Sequence, residues 1–231
     1  MASVHIVFDV VGTCVSYSAF YTRIASVHIT AQTFGFTWQT SAELEFTFLS
    51  ISSSHVPYTS VLRALFYRTL YQCGVPNPHS LVSDEQREEC IAGYAALEVR
   101  EGVKEAFNLL RNEGFAVWCF TTGDVGRVKG YFDRADIDMP VENVISCDGT
   151  GVVKPALAAY QGVWDRFGQE DVKWFAAAHM WDVAAATKVG FRGAWSDVLE
   201  GEAAVDIFGE GVEVLAKGVV DMARRVVEKS A

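Results

Sequence analysis

The sequence is poor in charge and has no basic excess. Of its 231 residues, 21% are Asp, Glu, Lys or Arg, and 19 basic residues face 29 acidic ones, for a formal net charge of −10. Nucleic-acid binding requires clustered Lys and Arg to neutralise phosphates, and no basic block occurs. Half of the residues are hydrophobic, which excludes disorder of the whole chain. We therefore expect one globular domain, or one with a sizeable insertion, that does not bind nucleic acid.

Long apolar runs and targeting signals are missing too. The longest stretch without a charged residue, Ile24 to Ala42, is interrupted by Ser, Thr, Gln and His, so it does not fit a membrane-spanning helix. The first residues, MASVHIVFD, lack the basic segment, apolar segment and cleavage site of a signal peptide. We expect a cytoplasmic protein without a membrane partner.

Cysteine and histidine patterns that organise disulfides or metal sites are absent. The five cysteines are odd in number, widely spaced and form no CxxC pair, which indicates small buried hydrophobes in an intracellular protein. Four of the histidines show no metal-ligand spacing, so we expect no bound metal and no other cofactor. The residues concerned are Cys14, Cys73, Cys90, Cys119 and Cys147, and His5, His28, His55 and His79.

The pattern of elements predicts an α/β fold. Val4 to Phe8 is an apolar run that reads as a buried strand, followed by Asp9 and a Gly12-Thr13 loop. From Glu101 onward, helical spacing alternates with strand-like runs, which predicts a Rossmann-like parallel sheet covered by helices on both faces. The predicted elements are a helix to Gly114, a strand over 115–120, a helix after Asp124, a strand near 144–146, and then a helix over 155–167, a strand over 172–177, a helix from Asp182 and a last helix including 219–227.

The first strand is separated from the rest of the sheet by an unusual segment. Between Val10 and Leu62 there are three charged residues and nine aromatic ones, so part of this surface is expected to be covered. About ninety residues of largely helical pattern are too many for a crossover connection. We therefore predict a core formed by residues 1–13 and 98–231, with an inserted helical-bundle cap at 14–97.

Polar side chains follow four of the predicted strands. Asp9, the Thr121-Thr122 pair, Lys154 and Asp182 each come just after a strand, and the carboxyl ends of parallel strands form the ligand crevice of such sheets. An aspartate there can attack carbon or phosphorus if a fixed cation keeps it ionised and oriented. Lys154 can supply that cation. Asp182 can orient the lysine or activate a water molecule.

Five segments carry a family resemblance. FDVVGT at 8–13, FTTG at 120–123, KP at 154–155 and WDVAAATKVG at 181–190 resemble the four ordered motifs of the haloacid dehalogenase superfamily, and ELEFTFL at 43–49 resembles the first long cap helix of its L-2-haloacid dehalogenases. The resemblance implies a HAD-like hydrolase fold, a small-molecule substrate and a homodimer formed through the cap. It implies catalytic Asp9, Lys154 and Asp182, and substrate contacts from Val11, Thr13, Thr40, Thr121, Thr122, Tyr160, His179 and Trp181.

Departures from the family pattern narrow the chemistry. Val11 stands where phosphatases of the superfamily carry a second aspartate, and Ala178 replaces an acid of their Mg²⁺ site. A departing halide requires neither group. However, Thr40 occupies the place of the dehalogenases' cap arginine, while Ala177 and His179 replace a serine and an asparagine. Together with the nearly uncharged, aromatic cap, these changes suggest a larger or less anionic substrate, or a step other than dehalogenation.

Several interpretations stay open. The chain can be a hydrolase that forms an Asp9 ester, an enzyme that uses Asp9, His179 or Lys154 as acid or base on a larger neutral metabolite, or a catalytically silent binding protein. Single residues also have structural explanations. Asp182 can cap its helix. Tyr160 and His179 can be core residues, and Trp181 can pack in the core or form the wall of the crevice. Cys14 is a further candidate nucleophile, although no positive partner is adjacent in sequence.

Overall fold

A computed structural model describes residues 2–24, 31–54, 56–148 and 150–231; His28 and His55 lie outside these ranges. The chain divides into two compact units. The first, here called the core unit, comprises the residues up to 16 together with 99–231, and the second, the helical unit, comprises 17–98.

Eight strands and eleven α-helices make up the described chain. The strands are β1 (Val4–Asp9), β2 (Val15–Ser16), β3 (Glu98–Val99), β4 (Phe115–Thr121), β5 (Val144–Ser146), β6 (Val172–Ala177), β7 (Arg192–Ser196) and β8 (Val212–Ala216). The helices are α1 (Ser18–Ile24), α2 (Ala31–Ile51), α3 (Tyr58–Gln72), α4 (Pro78–Leu81), α5 (Asp84–Ala95), α6 (Val103–Asn112), α7 (Val125–Arg134), α8 (Leu157–Trp164), α9 (Met180–Thr187), α10 (Val205–Phe208) and α11 (Gly218–Ser230).

A six-stranded parallel sheet organises the core unit, in the order β5-β4-β1-β6-β7-β8. Strand β1 is central, with β4 and β6 as its neighbours, and its residues from Ile6 to Asp9 are buried. This confirms the predicted α/β fold with a parallel sheet and an N-terminal helical insertion. Because β1 carries Asp9 at its carboxyl end, the sheet places that residue between the ends of two neighbouring strands.

Helices cover both faces of the sheet. On β6 the indole of Trp174 donates a hydrogen bond to Ser230 in α11, whereas the next residue, Phe175, packs its ring edge-on to Tyr160 in α8. Successive strand residues point to opposite faces, so α8 and α11 lie on opposite sides. Helix α6, which carries Phe107, packs against α11 on the same face of the sheet.

Strands β7 and β8 were not among the predicted elements. The β7 sequence, RGAWS, contains Gly and Ala in place of a β-branched run. Gly193 is required there because a Cβ would lie 2.7 Å from Val183 in α9. β8 is a short edge strand with two exposed positions. Neither segment shows a strong local strand signal, and both are held by pairing across the sheet.

The helical unit has its own aromatic core. The Trp38 ring in α2 lies 4.9 Å from Phe66 in α3 and 5.2 Å from Phe20 in α1, and its indole donates to the Leu62 carbonyl. Helix α5 of the same unit begins with a capping box between Ser83 and Gln86. The contacts of the Trp38 ring with Phe66 and Phe20 stabilise the packing beyond the burial of the rings alone. The aromatic richness of this segment is therefore used for an internal core.

One face of α2 also leaves large apolar side chains exposed, namely Phe36, Leu44, Phe48 and Ile51. Homodimer formation through the cap stays a prediction.

None of the helices that the structure describes combines the length and hydropathy required to cross a membrane.

A buried contact behind the nucleophile strand offers a stability test. Phe107 is buried, with its ring centroid 4.9 Å from that of Phe8 and 5.9 Å from that of Phe132. Phe107→Ala is expected to lower the free energy of unfolding by about 3–5 kcal/mol, because it removes apolar contacts and leaves a cavity. Ile207→Ala, at a side chain 74% exposed, is the control and is expected to change it by less than about 0.5 kcal/mol. Urea unfolding measures both; equal effects would contradict this account of the core.

Candidate active site

Asp9 lies at the end of β1 and its two carboxylate oxygens have different partners. Lys154 Nζ lies 3.0 Å from Oδ1, and the Thr13 hydroxyl donates to Oδ2 at 2.8 Å. The side chain is buried but not fully enclosed. Two donors thus hold the carboxylate in one orientation, as charge-assisted hydrogen bonds do when they are made to fixed groups.

The loop after β1 positions Thr13. Gly12 has a φ of +97°, a left-handed conformation that favours glycine, and the Arg100 guanidinium donates to its carbonyl at 2.9 Å. The Thr13 hydroxyl donates its hydrogen to Asp9 and accepts the backbone N–H of Ala178 at 2.7 Å. Through this one hydroxyl, the loop after β1 is joined to the segment after β6.

Lys154 is a buried cation between two carboxylates. Besides Asp9, its Nζ donates to Asp182 Oδ2 at 2.8 Å, and it lies 4.7 Å above the Phe120 ring and 5.3 Å above the Phe175 ring. Burial opposes the charged ammonium, but the two carboxylates outweigh it and raise the pKa of Lys154 above its ordinary value. The side chain is therefore a cation at neutral pH. The structure contains the expected contact between Lys154 and Asp9.

Asp182 does not cap its helix. The N-cap position of α9 is His179, and Asp182 sits within the first turn with its side chain fully buried. Its Oδ2 accepts from Lys154, and its Oδ1 accepts a hydrogen bond from the Tyr160 hydroxyl. Burial raises the pKa of Asp182, while the Lys154 ammonium opposes that rise. The capping interpretation was wrong because a long-range cation and hydroxyl compete for this carboxylate.

Tyr160 is both a core residue and a polar partner. Its ring packs edge-on against Phe120 and Phe175, with centroids 5.7 and 5.6 Å away. Burial, together with the charge of Asp182, raises the pKa of Tyr160 well above its ordinary value, so the hydroxyl stays protonated and donates to Asp182. The two interpretations of this residue are compatible.

His179 faces Asp9 without bonding to it. The imidazole Nδ1 lies 4.0 Å from Asp9 Oδ2, which is longer than a hydrogen bond. Nδ1 is buried and has no hydrogen-bond partner in the part of the chain that the structure describes. Trp181 is half-buried, with its ring centroid 5.3 Å from that of His179.

The remaining predicted contact residues have separate surroundings. Thr121 is buried at the end of β4, where its hydroxyl accepts the Gly123 N–H at 3.0 Å. Thr122 and Val11 are partly exposed, and Val11 bridges to Val15. Thr40 lies on α2 in the helical unit and is exposed. The core unit therefore brings Asp9 together with Thr13, Lys154, Asp182, Tyr160 and His179, whereas the substrate contacts assigned to Val11, Thr40, Thr121, Thr122 and Trp181 stay predictions.

Glu200 is a structural partner that sequence reasoning missed. Its carboxylate accepts the Met180 N–H at 2.9 Å and the Trp195 indole N–H at 3.3 Å. It therefore satisfies the backbone at the start of α9, next to His179. No local signal in the sequence could have shown this contact, because the capping side chain lies twenty residues beyond the N–H group it binds.

Cys14 does not have the surroundings of a nucleophile. Its thiol is fully buried and donates to the Asp9 carbonyl at 3.4 Å. Burial, together with neighbouring Cys119, raises the pKa of Cys14 well above its ordinary value, which disfavours the reactive thiolate.

The donor set around Asp9 does not fit a divalent cation. Among the described residues, no three His, Cys, Asp or Glu side chains are arranged to hold a metal ion. An ammonium lies between the two carboxylates, and Val11 and Ala178 add no oxygen ligand from their side chains. Mg²⁺ prefers octahedral oxygen coordination, and the side chains at positions 11 and 178 supply none of those oxygens.

The Thr13 hydroxyl gives a second stability test. Thr13→Val keeps the shape but removes the acceptor of the buried Ala178 N–H and a donor to Asp9. The free energy of unfolding is expected to fall by about 1–3 kcal/mol, the cost of an unsatisfied buried polar group. Thr13→Ser, which keeps the hydroxyl, is expected to recover most of this loss in urea unfolding. If the valine variant were as stable as wild type, the bridging role of this hydroxyl would be refuted.

The fold has many solved counterparts at low sequence identity. It is similar to a dehalogenase solved as an intermediate complex, with a TM-score of 0.80, 16% identity, and coverage of 97% of this chain and 98% of that chain. It is also similar to L-2-haloacid dehalogenase from Xanthobacter autotrophicus, with a TM-score of 0.76, 17% identity and 98% coverage of each chain. The same enzyme with chloropropionic acid covalently bound gives 0.77 and 16%, again with 98% coverage of each chain. The TM-scores show a shared fold.

Family membership follows from the sequence profile. No curated protein sequence matches this chain. The profile of the haloacid dehalogenase-like hydrolases, however, matches residues 5–190, a range that begins in β1 and ends just after α9. The match therefore includes every core residue described above around Asp9, and the chain belongs to the haloacid dehalogenase-like hydrolase family.

Proposed function

We propose that this hydrolase uses Asp9 as a nucleophile toward carbon, forms a covalent ester with a small-molecule substrate, and needs no metal ion. The observation that carries the proposal is the Asp9 carboxylate held between the Lys154 ammonium at 3.0 Å and the Thr13 hydroxyl at 2.8 Å. A nearby cation keeps a carboxylate ionised, and fixed donors restrict its approach to the substrate.

In the proposed first step, an Asp9 oxygen attacks the substrate carbon that bears the leaving group. A carbon–oxygen bond forms as the carbon–halogen bond breaks, and the halide leaves with the bonding electron pair. A halide needs no proton, which agrees with a valine at position 11. The Lys154 ammonium balances the carboxylate in the ground state and then interacts with the ester oxygen. Water afterwards cleaves the ester.

Similarity to a trapped relative supports this chemistry. The Xanthobacter autotrophicus enzyme, which shares the fold, has been solved with chloropropionic acid covalently bound. In the present chain the carboxylate at the end of β1 is bound by a cation and a hydroxyl. We infer a covalent intermediate of the same kind on Asp9.

The pairing of arginine side chains in the helical unit favours substrates other than small haloacids. Residues 17–98 contain four arginines and no lysine. Three of the arginine side chains are paired with surface carboxylates, Arg63 with Glu88, Arg68 with Glu45, and Arg87 with Asp84; the fourth, Arg23, is outside the described side chains. We infer that the helical unit offers little positive charge to a substrate carboxylate, as Thr40 in place of arginine suggests. The substrate is then larger or less anionic.

A second candidate is acid–base chemistry on a larger neutral substrate in the same site. It is favoured by the His179 Nδ1 that lies near Asp9 without a described partner. For both candidates, we predict that the protein is cytoplasmic and forms a homodimer. A catalytically silent binding protein is the remaining alternative, and it differs from both in showing no turnover.

Removal of the nucleophile tests the first candidate. With L-2-chloropropionate or monobromoacetate and no added metal, wild type is expected to release halide slowly, because these acids carry the reactive carbon while the helical unit offers little positive charge to their carboxylate. Asp9→Asn is expected to reduce release at least about thousandfold, because an amide cannot serve as the nucleophile. Asp206→Asn, at an exposed acid in α10, is the matched control and keeps full activity. A folded wild type without halide release would favour the second candidate, and an active Asp9→Asn would refute the nucleophile.

A gain of function tests the role of position 40. Thr40→Arg is expected to raise kcat/KM for L-2-chloropropionate about tenfold or more, because a hydrogen bond to a charged carboxylate contributes about 1.5–3 kcal/mol. Gln32→Arg, an exposed position on the same helix, adds the same charge and is expected to have no such effect. Steady-state halide release measures both. Equal rates in the two variants would show that position 40 does not contact the substrate.

A further inference from the structure

We propose that His179 is the general base that activates water to cleave the Asp9 ester, and that Asp182 does not have this role. The inference rests on the proposed covalent function, since it concerns the second half of that reaction. It depends on three features of the site: the contacts of Asp182 with Lys154 and Tyr160, the position of His179, and the protonation of the other polar groups.

Asp182 is poorly placed to accept a proton. Lys154 donates to its Oδ2 at 2.8 Å, and the Tyr160 hydroxyl donates to its Oδ1. The side chain has 0% exposure. In the ester Asp9 no longer carries a charge, so a proton on Asp182 would remove the remaining carboxylate charge that balances the buried Lys154 ammonium. The contacts of Asp182 therefore suit it to orient Lys154.

His179 is held in place with one nitrogen directed at the nucleophile. Its ring lies against the backbone of Gly12, where an added Cβ would approach Cε1 to 2.8 Å, and Leu199 lies against the same position. The residue is 7% exposed, and its Nδ1 is buried without a described partner, 4.0 Å from Asp9 Oδ2. A buried nitrogen without a partner carries a desolvation cost that a functional role explains.

The proposed step requires a water molecule that contacts both groups once the ester has formed. Such a water would donate to Nδ1 at about 2.8 Å and lie about 3–3.5 Å from the Asp9 carboxyl carbon, the separation of a near-attack arrangement. The tautomer with its proton on Nε2 presents the lone pair of Nδ1 for this purpose. Because no direct hydrogen bond joins His179 to Asp9, that lone pair is not used by the nucleophile.

The other polar groups around Asp9 lack a free basic lone pair. Lys154 is an ammonium with a raised pKa, and Tyr160 stays protonated because its pKa is raised. The Thr13 hydroxyl donates to Asp9 and accepts from Ala178. Among the described groups that surround the Asp9 carboxylate, His179 is thus the one whose ring nitrogen can take a proton.

The hydrolytic step balances as follows. Water attacks the carboxyl carbon of the Asp9 ester while His179 Nδ1 takes one of its protons, and a tetrahedral intermediate forms. The bond between that carbon and the substrate oxygen then breaks, and the imidazolium returns the proton to the departing alkoxide. A 2-haloacid yields the 2-hydroxy acid, and the Asp9 carboxyl releases its remaining proton to solvent.

The test follows ester formation and ester cleavage separately. Wild type, His179→Gln and His179→Asn are mixed with monobromoacetate or L-2-chloropropionate; halide release is followed from the first turnover, and the intact protein mass is measured. Both variants are expected to release about one equivalent of halide per site and to accumulate alkylated Asp9, with later turnover at least about a hundredfold slower. His79→Gln, at an exposed histidine of the helical unit, is the matched control and is expected to turn over like wild type.

Isotope incorporation checks the site of water attack. In H₂¹⁸O, single-turnover wild type is expected to carry ¹⁸O in Asp9, since water attacks the protein carbon. Continued full turnover in both folded His179 variants would overturn this role and leave the covalent function intact. Loss of the first halide equivalent in these variants would also overturn it, because His179 would then act before the ester. Absence of an adduct and of halide in wild type would overturn the proposed function together with this inference.

Discussion

The Lys154 ammonium between Asp9 and Asp182 is the interaction on which the rest of the site depends. Two buried carboxylates within reach of each other would repel and lose their hydration, whereas a shared cation compensates both. Phe120 and Phe175 face the same ammonium with their rings. Removal of Lys154 would leave both carboxylates buried and without a balancing charge. The shared ammonium therefore allows the two carboxylates to be buried together and fixes the orientation of Asp9.

The sheet makes this arrangement possible because it brings together residues from distant parts of the chain. Asp9 and Lys154 are 145 positions apart, and Thr13 reaches Ala178 across 165 positions. Each of these residues follows or ends a strand of a parallel sheet, whose carboxyl ends lie along one edge. A single buried hydroxyl then joins the loop after β1 to the segment after β6.

The core unit and the helical unit differ in how well their side chains suit reaction with a small haloacid. Asp9 contacts both Thr13 and Lys154 within the core unit, and the proposed attack on carbon depends on this arrangement. The helical unit, in contrast, pairs its described arginines with surface carboxylates and carries threonine at position 40. The chain is a haloacid dehalogenase-like hydrolase, and the proposal is that it shares the nucleophile chemistry of the dehalogenases but differs from them in substrate recognition.

The sequence by itself determined the α/β alternation, the strand that carries Asp9 and the family, because these depend on local periodicity and on short motifs of fixed order. It could not show β7 and β8, whose strand structure depends on pairing across the sheet and not on local preference. It left open whether Asp182 caps its helix or orients Lys154, and the tertiary structure directs that carboxylate to Lys154 and Tyr160. The contact of Glu200 with the start of α9 and the unpartnered Nδ1 of His179 were likewise decided by long-range packing. Burial and hydrogen-bond partners are set by residues far away in the chain, which no local pattern records.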